Sequence, residues 1–343
     1  MAVKLTDIAL QVGMSEATVS LALNNRRGIK PETRKLVQDT ANRLGYTPNI
    51  IAKTLARQKS NNIGIIVTDI GNAYFGEFAM QCEKHIRKRG YSSLFAFSVD
   101  QRNWEEVLIE QFIAQRVAGV IIVPPAINDN ARISYLNRLE NYGIKYIFAT
   151  SHYSMVDAPF VMTDLEKGTY QSVKYLLDLG HKNILFLGAD PQMIPTLKRL
   201  DGYRRAFLEN GMEFNEHLLI RCENADFECG KNAVIQALVS GIKFDAIVTI
   251  NDMLALGSLR ALQTQKIDVP GDISLIGFDD IIYSEVATIP LSTVHQDVKA
   301  IAYKAVDILF HMIDNNIQTN EKILIEPQLI IRESTSVYSN RTQ

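Results

Sequence analysis

The chain has 343 residues, with 36 lysines and arginines, 38 aspartates and glutamates, and a formal net charge of -2. A single hydrophobic core stops growing near about 250–300 residues, so this length predicts more than one domain. No apolar run approaches the roughly 20 residues of a membrane-spanning helix, and the N-terminus lacks the extended apolar region of a secretory signal. We therefore expect neither a membrane protein nor an exported one.

The small net charge hides an uneven distribution along the chain. Residues 1–60 carry ten basic and four acidic side chains, a net charge of +6, whereas the remainder carries 26 basic and 34 acidic side chains, a net charge of -8. Such asymmetry is typical of a nucleic-acid-binding portion attached to a second domain. The three cysteines (Cys82, Cys222 and Cys229) form no CxxC motif and indicate reduced thiols in a cytosolic protein.

The beginning of the chain predicts two short helices joined by a tight turn. Thr6 is expected to cap the first helix, which ends before Gly13, and Ser15 to cap the second, from Glu16 to about Asn24. This is the sequence form of a helix-turn-helix. The apolar residues expected on its inner face are Ile8, Ala9, Val19, Ala22 and Leu23.

A third helix and a short fourth one follow. The third is predicted to begin near Pro31, where proline suits the first helical turn, and to end at Gly45. Its apolar residues at helical spacing are Leu36, Val37, Ala41 and Leu44. After Pro48, residues 49–58 are compatible with a helix of about ten residues, which is below the length that an isolated helix needs in water. A domain boundary is placed at the polar residues 59–62 that come next.

From residue 63 onward, short apolar strands alternate with amphipathic helices. The predicted strands are residues 63–67, 93–97, 119–123, 145–149, 159–163, 183–187, 245–249 and 273–277. This alternation predicts parallel sheets covered by helices, and eight strands over 280 residues indicate two lobes. Ligands of such folds bind beyond the carboxyl ends of the strands, here in a cleft between the lobes.

These segments together resemble the LacI/GalR family of bacterial transcription regulators. The resemblance begins with "TDIALQVGMSEATVSLALNN" (6–25) and continues through "RLDGYRRAF" (199–207), "NDMLALGSLRAL" (251–262) and "VPGDISLIGFDD" (269–280), in order over essentially the whole chain. It implies an α/β protein with an all-α helix-turn-helix head and a hinge helix. A two-lobed domain follows, like a periplasmic binding protein, with parallel sheets flanked by helices.

The resemblance also implies domain boundaries. The DNA-binding domain is expected over 1–48, the hinge helix and linker over 49–60, and the effector-binding and dimerisation domain over 61–343. Within this last domain the N-lobe is expected to comprise about 61–160 plus 292–320, and the C-lobe about 161–291 plus 321–336.

The outer face of the second helix is the expected base-reading surface, because small and polar side chains let a helix lie deep in the major groove. This face presents Ser15, Glu16, Ala17, Ser20, Leu21 and Asn24. Many relatives carry a basic residue where Leu21 stands. Leu21 is expected to contact a thymine methyl group or merely to fit the groove, and Glu16 to accept from cytosine N4 or to deter wrong sites.

Other residues of the head are expected to contact the DNA backbone or the minor groove. The backbone candidates, together with Thr6, are Lys4, Thr18, Asn25, Arg26, Arg27, Arg34 and Tyr46. In the hinge helix, which Asn49 caps, Leu55 matches the leucine that the family inserts into the minor groove, and Ala52 allows close approach. The short hinge helix is expected to fold only on DNA and beside its dimer partner.

The ligand residues of the family transfer to positions of this chain where the motifs match. The expected effector-binding residues are Asn72, Tyr74, Phe75, Thr150, Arg199, Phe227, Asn251, Asp279 and Gln296. Acid, amide and guanidinium groups suit adjacent hydroxyls and aromatic faces suit sugar C–H surfaces, so a carbohydrate or sugar derivative is expected. A purine or nucleoside also fits, and Thr150 and Ser151 stand where several relatives place an acid, which leaves the ligand open.

The leading expectation is a homodimeric, ligand-controlled repressor, in the cytoplasm at the nucleoid, that binds a pseudo-palindromic double-stranded operator of a carbohydrate-utilisation operon. The alternatives are a purine-type regulator that needs a corepressor and a sugar receptor of the same fold that does not bind DNA. No enzymatic activity, cofactor or metal site is expected, because the sequence contains no GxSxG, Walker-type or GxGxxG motif and no His–Cys metal spacing.

Overall fold

The structure is a computed structural model that describes residues 3–46, 60–98, 104–124, 133–190 and 193–338. The chain divides into two units, the head (Met1–Lys59) and the body (Ser60–Gln343). The hinge helix expected over 49–60, with Asn49, Ala52 and Leu55, lies outside the described residues except for residue 60.

The head contains three helices, α1 (Leu5–Val12), α2 (Glu16–Leu23) and α3 (Pro31–Leu44). Gly13 follows α1 with a φ of +65°, a left-handed conformation that glycine adopts without steric cost, and so turns the chain into α2. The helices close over a small core of Ile8, Ala9, Val19, Ala22, Val37 and Ala41. Leu36, which helical spacing placed with this core, is instead half exposed, at 50%.

The predicted cap of α1 is wrong, whereas that of α2 is confirmed. α1 begins at Leu5, because the Asp7 carboxylate accepts a hydrogen bond from the Lys4 backbone N–H at 2.8 Å and so stabilises an earlier start. Thr6 therefore lies inside the first turn and is exposed. The Ser15 hydroxyl accepts from the Thr18 backbone N–H at 3.2 Å, as an N-cap residue does.

The N-lobe of the body is a six-stranded sheet. Its strands are β1 (Asn62–Val67), β2 (Ser92–Phe97), β3 (Gly119–Ile122), β4 (Lys145–Ala149), β5 (Phe160–Thr163) and β11 (Lys322–Ile325). They lie parallel in the order β11-β5-β4-β3-β1-β2. One face packs on α4 (Ala73–Lys88) and α12 (Val298–Asn315), the other on α5 (Trp104–Ala114) and α6 (Leu136–Asn141).

The C-lobe is built in the same way around a second six-stranded sheet. Its strands are β6 (Ile184–Gly188), β7 (Leu219–Arg221), β8 (Ala246–Thr249), β9 (Ser274–Asp279), β10 (Ser292–His295) and β12 (Gln328–Ile330), in the order β12-β10-β9-β8-β6-β7. Only β12 is antiparallel to its neighbour. The helices of this lobe are α7 (Leu165–Asp178), α8 (Ile194–Glu209), α9 (Phe227–Val239), α10 (Asp252–Thr264) and α11 (Ile282–Val286).

The strand pairing corrects the predicted lobe boundaries. The segment 292–295 was assigned to the N-lobe, but β10 pairs with β9, Ser292 opposite Ile276, and so belongs to the C-lobe sheet. The segment 322–325 was assigned to the C-lobe, but β11 pairs with β5, Lys322 opposite Phe160, in the N-lobe sheet. For the same reason all of β5 belongs to the N-lobe, which extends beyond residue 160. Each strand belongs to the sheet in which its backbone groups are hydrogen-bonded.

The eight predicted strands are all present, whereas β7, β10, β11 and β12 were not predicted as strands. No helix among the described residues combines the length and the apolar character needed to cross a membrane.

Candidate functional site

The outer face of α2 combines exposed small, polar and apolar side chains. Glu16, Ala17 and Asn24 are exposed, Ser20 is half-buried, and the Leu21 side chain is 43% exposed. The opposite face, with Val19 and Ala22, is buried in the core of the head. The outer face of α2 is therefore free to enter a DNA groove. Of the residues predicted to lie on it, all but Ser20 are exposed.

Several candidate DNA contacts are already held by hydrogen bonds within the head. The Ser15 and Thr18 hydroxyls lie 2.9 Å apart, and Asn24 Nδ2 donates to the Ser20 carbonyl at 2.8 Å. Asn25, with a φ of +52°, accepts from Gln38 Nε2 at 3.3 Å. These contacts fix the end of α2 and the turn after it. Lys4, Thr6 and Arg26 are exposed, and Tyr46 is half-buried at the end of the described head residues.

The body contains a cavity of about 420 Å³ where the carboxyl ends of the two sheets face each other. On the N-lobe side, Thr68 follows β1, Val123 follows β3 and Thr150 follows β4. On the C-lobe side, Ala189 follows β6, Ile250 follows β8, Asp279 ends β9 and Gln296 follows β10. This is the position at which open parallel sheets bind ligands. The volume is that of a small-molecule site.

A chain of buried polar side chains crosses from one lobe to the other. The Tyr74 hydroxyl, from the start of α4, donates to Gln296 Oε1 at 3.3 Å. Gln296 Nε2 donates to Asp279 Oδ1 at 2.7 Å. Asp279 Oδ1 in turn lies 3.9 Å from Nη2 of Arg199 on α8. Each of these four side chains belongs to a buried residue, so the chain forms a prearranged polar wall of the cavity.

The Arg199 side chain is fixed in place by its neighbours, but its hydrogen-bonding capacity is only partly used within the described residues. Its guanidinium stacks over the Phe278 ring at 4.1 Å, and Nη1 donates to the Pro195 carbonyl at 3.3 Å. Its Nε atom is buried and has no hydrogen-bond partner among the described residues, and the same is true of the Thr196 hydroxyl. Because buried polar atoms are ordinarily hydrogen-bonded, these two atoms in the cavity lining indicate a polar ligand.

Burial shifts the ionisation of the groups in this wall. It raises the pKa of Asp279 well above its usual value, and the nearby Asp252 carboxylate adds to the rise, while Arg199 opposes it. Burial lowers the pKa of Arg199, against the effect of Asp279, and raises that of the Tyr74 hydroxyl. The guanidinium and the acid, 3.9 Å apart on the C-lobe side of the cavity, therefore present a buried acid–guanidinium pair to a ligand beside them.

Two residues of the cavity adopt unusual backbone conformations. Thr150 has a φ of +62° and Asp279 a φ of +116°, regions that non-glycine residues rarely adopt. Such conformations cost about 1–3 kcal/mol each and cluster at ligand sites. Both residues come at the carboxyl end of a strand, where the strain aims their side chains at the cleft rather than along the sheet.

The structure brings most of the expected effector residues together. The cavity is lined by Asn72, Tyr74, Phe75, Thr150, Arg199, Asn251, Asp279 and Gln296. Two of them also cap helices. Asn72 Oδ1 accepts from the Tyr74 N–H at 3.0 Å, and Asn251 Oδ1 accepts from the Leu254 N–H at 2.9 Å. Asn251 Nδ2 donates to the Ala225 carbonyl at 2.7 Å, so this side chain positions the loop before α9.

Phe227, expected to stack on the ligand, is not among the residues that line the cavity. It begins α9, and its backbone carbonyl lies against Gly257 of α10, where a Cβ atom would approach to 2.0 Å. This close contact of helices fixes the start of α9 and brings the preceding residues to the cavity instead. Those residues are Asn224, Ala225 and Asp226, the last being the N-cap of α9.

Other lining residues were not predicted from the sequence, among them Asp69, Met193 and Thr196. Asp69 comes two residues after the end of the first strand, and the position of a strand end is a signal that could have found it. Met193 and Thr196 lie at the start of α8 and carried no motif. Within the described ranges, no group of three or more histidine, cysteine, aspartate or glutamate residues could hold a metal ion.

Comparison with known proteins finds one family match in the head and one in the body. Residues 4–49 match the family described as "Bacterial regulatory proteins, lacI family", and residues 173–335 match the "Periplasmic binding protein-like domain". The transcriptional regulator DegA of Bacillus subtilis is 30% identical over 96% of this chain and 97% of its own length. The transcriptional repressor PurR of Pasteurella multocida is also 30% identical, with the same coverage.

A solved structure extends the similarity to the fold. The lac repressor dimer bound to operator and the anti-inducer ONPF is 25% identical, with a TM-score of 0.88 over 98% of this chain and all of that one.

Proposed function

Because the chain belongs to the LacI family of bacterial regulatory proteins, we propose that this DNA-binding transcription regulator is a homodimeric repressor whose effector is a carbohydrate bound between the two lobes. The observation that carries the effector half of the proposal is the buried polar wall from Tyr74 to Arg199, with the unpaired Arg199 Nε and Thr196 hydroxyl beside it. The function is binding and release of operator DNA, in the cytoplasm at the nucleoid, without catalysis, cofactor or metal.

The head supplies the contact with a pseudo-palindromic operator. α2 lies in the major groove with Glu16, Ala17, Ser20 and Leu21 towards the base edges. Ser15 and Asn24 belong to the same face of α2. The expected phosphate contacts, together with Thr6, are Lys4, Thr18, Asn25, Arg26, Arg27, Arg34 and Tyr46. In the proposed domain division 1–48, 49–60 and 61–343, Leu55 enters the minor groove, Ala52 allows close approach and Asn49 caps the hinge, all three lying outside the described residues.

A carbohydrate fits the cavity because of the mixture of groups that line it. Arg199, Asp279 and Thr196 offer donors and acceptors for adjacent hydroxyls. Phe75 and Tyr74 pack edge-to-face with ring centroids 5.2 Å apart and offer an aromatic boundary for the C–H surface of a sugar ring. Among the described residues, the lining contains the acids Asp69, Asp226 and Asp279 but a single cation, Arg199, and this balance favours a neutral sugar over a sugar phosphate.

A purine is the second candidate. The similarity to the repressor PurR of Pasteurella multocida, at 30% identity over nearly the full length, favours it. The paired donor and acceptor of an Arg–Asp wall also match the edge of a base as well as two sugar hydroxyls.

Isothermal titration calorimetry with the full chain tests the effector site. The probes are cellobiose, lactose, glucose 6-phosphate, hypoxanthine and guanine, each titrated into wild type, Arg199→Gln and Arg87→Gln. We expect a neutral sugar to bind wild type and Arg199→Gln to weaken that binding by tenfold or more, because a hydrogen bond to a charged group contributes about 1.5–3 kcal/mol. Arg87 is 72% exposed on α4, so Arg87→Gln removes the same charge away from the cavity.

The outcomes separate the alternatives. Binding of hypoxanthine or guanine in preference to the sugars makes the purine the effector. Equal affinity of wild type and Arg199→Gln for a bound sugar excludes this cavity as its site. A gel shift with the DNA upstream of the chain's own gene tests the head. If no such DNA is bound at low salt while a sugar is, the protein is a sugar receptor of the same fold.

A further inference from the structure

Two of the three cysteines bracket one wall of the cavity. Cys222 directly follows β7, and its backbone N–H donates to the Gly188 carbonyl at 2.6 Å, which anchors it beside β6. Cys229 lies in the first turn of α9, where its backbone N–H donates to Asp226 Oδ1 at 2.8 Å. Between them, residues 224–226 line the cavity. Any bond between the two sulfur atoms would therefore close a ring around this wall.

The two thiols are neighbours in the core of the C-lobe. Cys222 is 1% exposed and belongs to the core of the C-lobe, and Cys229 packs half-buried against the same core. Burial raises the pKa of the Cys222 thiol to about 12, and a hydrogen bond with the Cys229 thiol contributes to the rise. The pair thus combines one thiol that solvent can reach with one that is sheltered directly behind it.

We propose that Cys222 and Cys229 are a dithiol modification site, which a peroxide converts into a disulfide that fixes the cavity wall at residues 224–226. Cys229 is the attacking thiol, because it is the more accessible of the two. Cys222 is the resolving thiol. Its contact with Cys229 places it for the second step.

The chemistry balances with hydrogen peroxide as the oxidant. The Cys229 thiolate attacks one peroxide oxygen, so an S–O bond forms, the O–O bond breaks, and hydroxide leaves and takes up the proton that the Cys229 thiol released. The Cys222 sulfur then attacks the Cys229 sulfenic acid, so the S–S bond forms, the S–O bond breaks, and the second water leaves with the Cys222 proton. Two thiols lose two electrons and two protons, and one peroxide becomes two waters.

The disulfide alters the cavity because the enclosed loop is already tied at two points. Asn251 Nδ2 holds the Ala225 carbonyl at 2.7 Å, and Asp226 caps α9. Bringing the sulfur atoms to bonding distance, about 2.05 Å, draws the start of α9 towards β7 and restricts the loop between these ties. The consequence for an effector rests on the function proposed above, whereas the thiol chemistry does not.

The test uses the full reduced chain treated with hydrogen peroxide. Free thiols are titrated with an alkylating reagent, the disulfide is located by mass spectrometry of the digest, and amide hydrogen exchange is followed in peptides that cover 223–228. We expect wild type to fall from three free thiols to one, with a Cys222–Cys229 link that dithiothreitol reverses. Exchange in 223–228 is expected to slow in the oxidised protein.

Matched variants make the result specific. Cys82 is fully buried in the core of the N-lobe, so Cys82→Ser is expected to leave the link intact, with the free thiols falling from two to none. Cys229→Ser is expected to abolish the link. Three alkylatable thiols after peroxide, a link through Cys82 or between chains, or unchanged exchange in 223–228 would overturn the proposal. No readout here uses an effector, so failure of this test and failure of the proposed effector site are independent results.

Discussion

At the scale of single residues, Glu105 on α5 is a buried acid of the N-lobe. Only 3% of it is exposed, and its two carboxylate oxygens accept hydrogen bonds from the Tyr135 and Tyr153 hydroxyls. Burial raises the pKa of Glu105 to about 7, although both hydrogen bonds oppose the rise. The folded protein therefore holds this proton more tightly than the unfolded chain, in which the pKa is 4.5. Linkage then makes the fold less stable as pH rises between these two values.

We expect the free energy of unfolding of the N-lobe to fall by about 2 kcal/mol between pH 5 and pH 8 on account of Glu105, since each pKa unit corresponds to about 1.4 kcal/mol. Glu105→Gln should remove most of that decline, because its amide does not titrate. Urea unfolding followed by the fluorescence of Trp104, the single tryptophan, measures it. The exposed neighbour provides the control, and Glu106→Gln should keep the decline. A parallel pH profile for wild type and Glu105→Gln would contradict the argument.

Leu21 lies on the outer face of α2. Its side chain is 43% exposed, and leucine offers a base edge only apolar contact, whereas arginine can donate two hydrogen bonds to guanine O6 and N7. We expect Leu21→Arg to shift the preferred half-site towards guanine in a selection from a random library. Leu10→Arg adds the same charge to an 83% exposed position of α1 and should change affinity without changing the preferred site. An unchanged preference in Leu21→Arg would mean that position 21 reads no base.

At the scale of secondary structure, the strands that are buried are for the most part the ones that the sequence predicts. Seven of the eight strands predicted from apolar runs are central in their sheets and bury most of their residues, whereas the eighth, β2, is an edge strand with one buried residue. The four others are three or four residues long, and three of them, β7, β11 and β12, lie at sheet edges with partly exposed side chains, so they carry little apolar pattern. The membership of β10 and β11 in their lobes depends on partners elsewhere in the chain, which local periodicity does not encode.

The candidate site was predictable to a similar degree and for a related reason. Side chains at the carboxyl ends of strands, such as Asp279 and Thr150, follow from the position of each strand. Phe227 illustrates where this reasoning stops, since Asp226, only one residue earlier, is the one that faces the cavity. Which of two neighbours at a helix start points inward depends on how α9 packs on α10, and that packing is set by Gly230 and Gly257.

We therefore expect Gly257→Ala to be destabilising. A Cβ at this position would lie 2.0 Å from the Phe227 carbonyl, so α9 and α10 must separate, at a cost of about 1–3 kcal/mol. Gly76 supplies the matched control, because it is also helical but a Cβ there would meet its nearest neighbour, the Ile70 carbonyl oxygen, only at 3.7 Å. Gly76→Ala should be neutral or stabilising. Thermal unfolding of both variants measures the difference, and equal melting temperatures would refute the close-packing argument.

At the scale of the whole molecule, the cavity joins two lobes that the chain crosses several times. Among the described residues, the chain passes between the sheets after β5, after β10 and after β11. Tyr74 belongs to the N-lobe and Arg199 to the C-lobe, so a ligand that bonds to both favours one relative position of the lobes. Such a ligand shifts the protein between conformations by no more than its difference in affinity for them.

The division of charge along the chain determines how operator affinity depends on salt. The +6 of residues 1–60 concentrates the attraction for DNA in the head, while the -8 of the remainder repels the phosphate backbone. We expect the logarithm of operator affinity to fall linearly with the logarithm of salt concentration, with a slope of about -0.9 for each phosphate neutralised. Arg26→Gln removes one exposed charge from each head, two in the proposed dimer, and should make the slope shallower by about 1.8.

Arg87→Gln removes a charge from the body, on an exposed face of α4, and should leave the slope as it is. Fluorescence anisotropy of labelled operator at several salt concentrations measures both variants against wild type. Equal effects of the two substitutions would show that the body shares the contact with DNA. An affinity independent of salt would show that the charge of the head has no part in binding, because neutralising phosphates necessarily releases counterions.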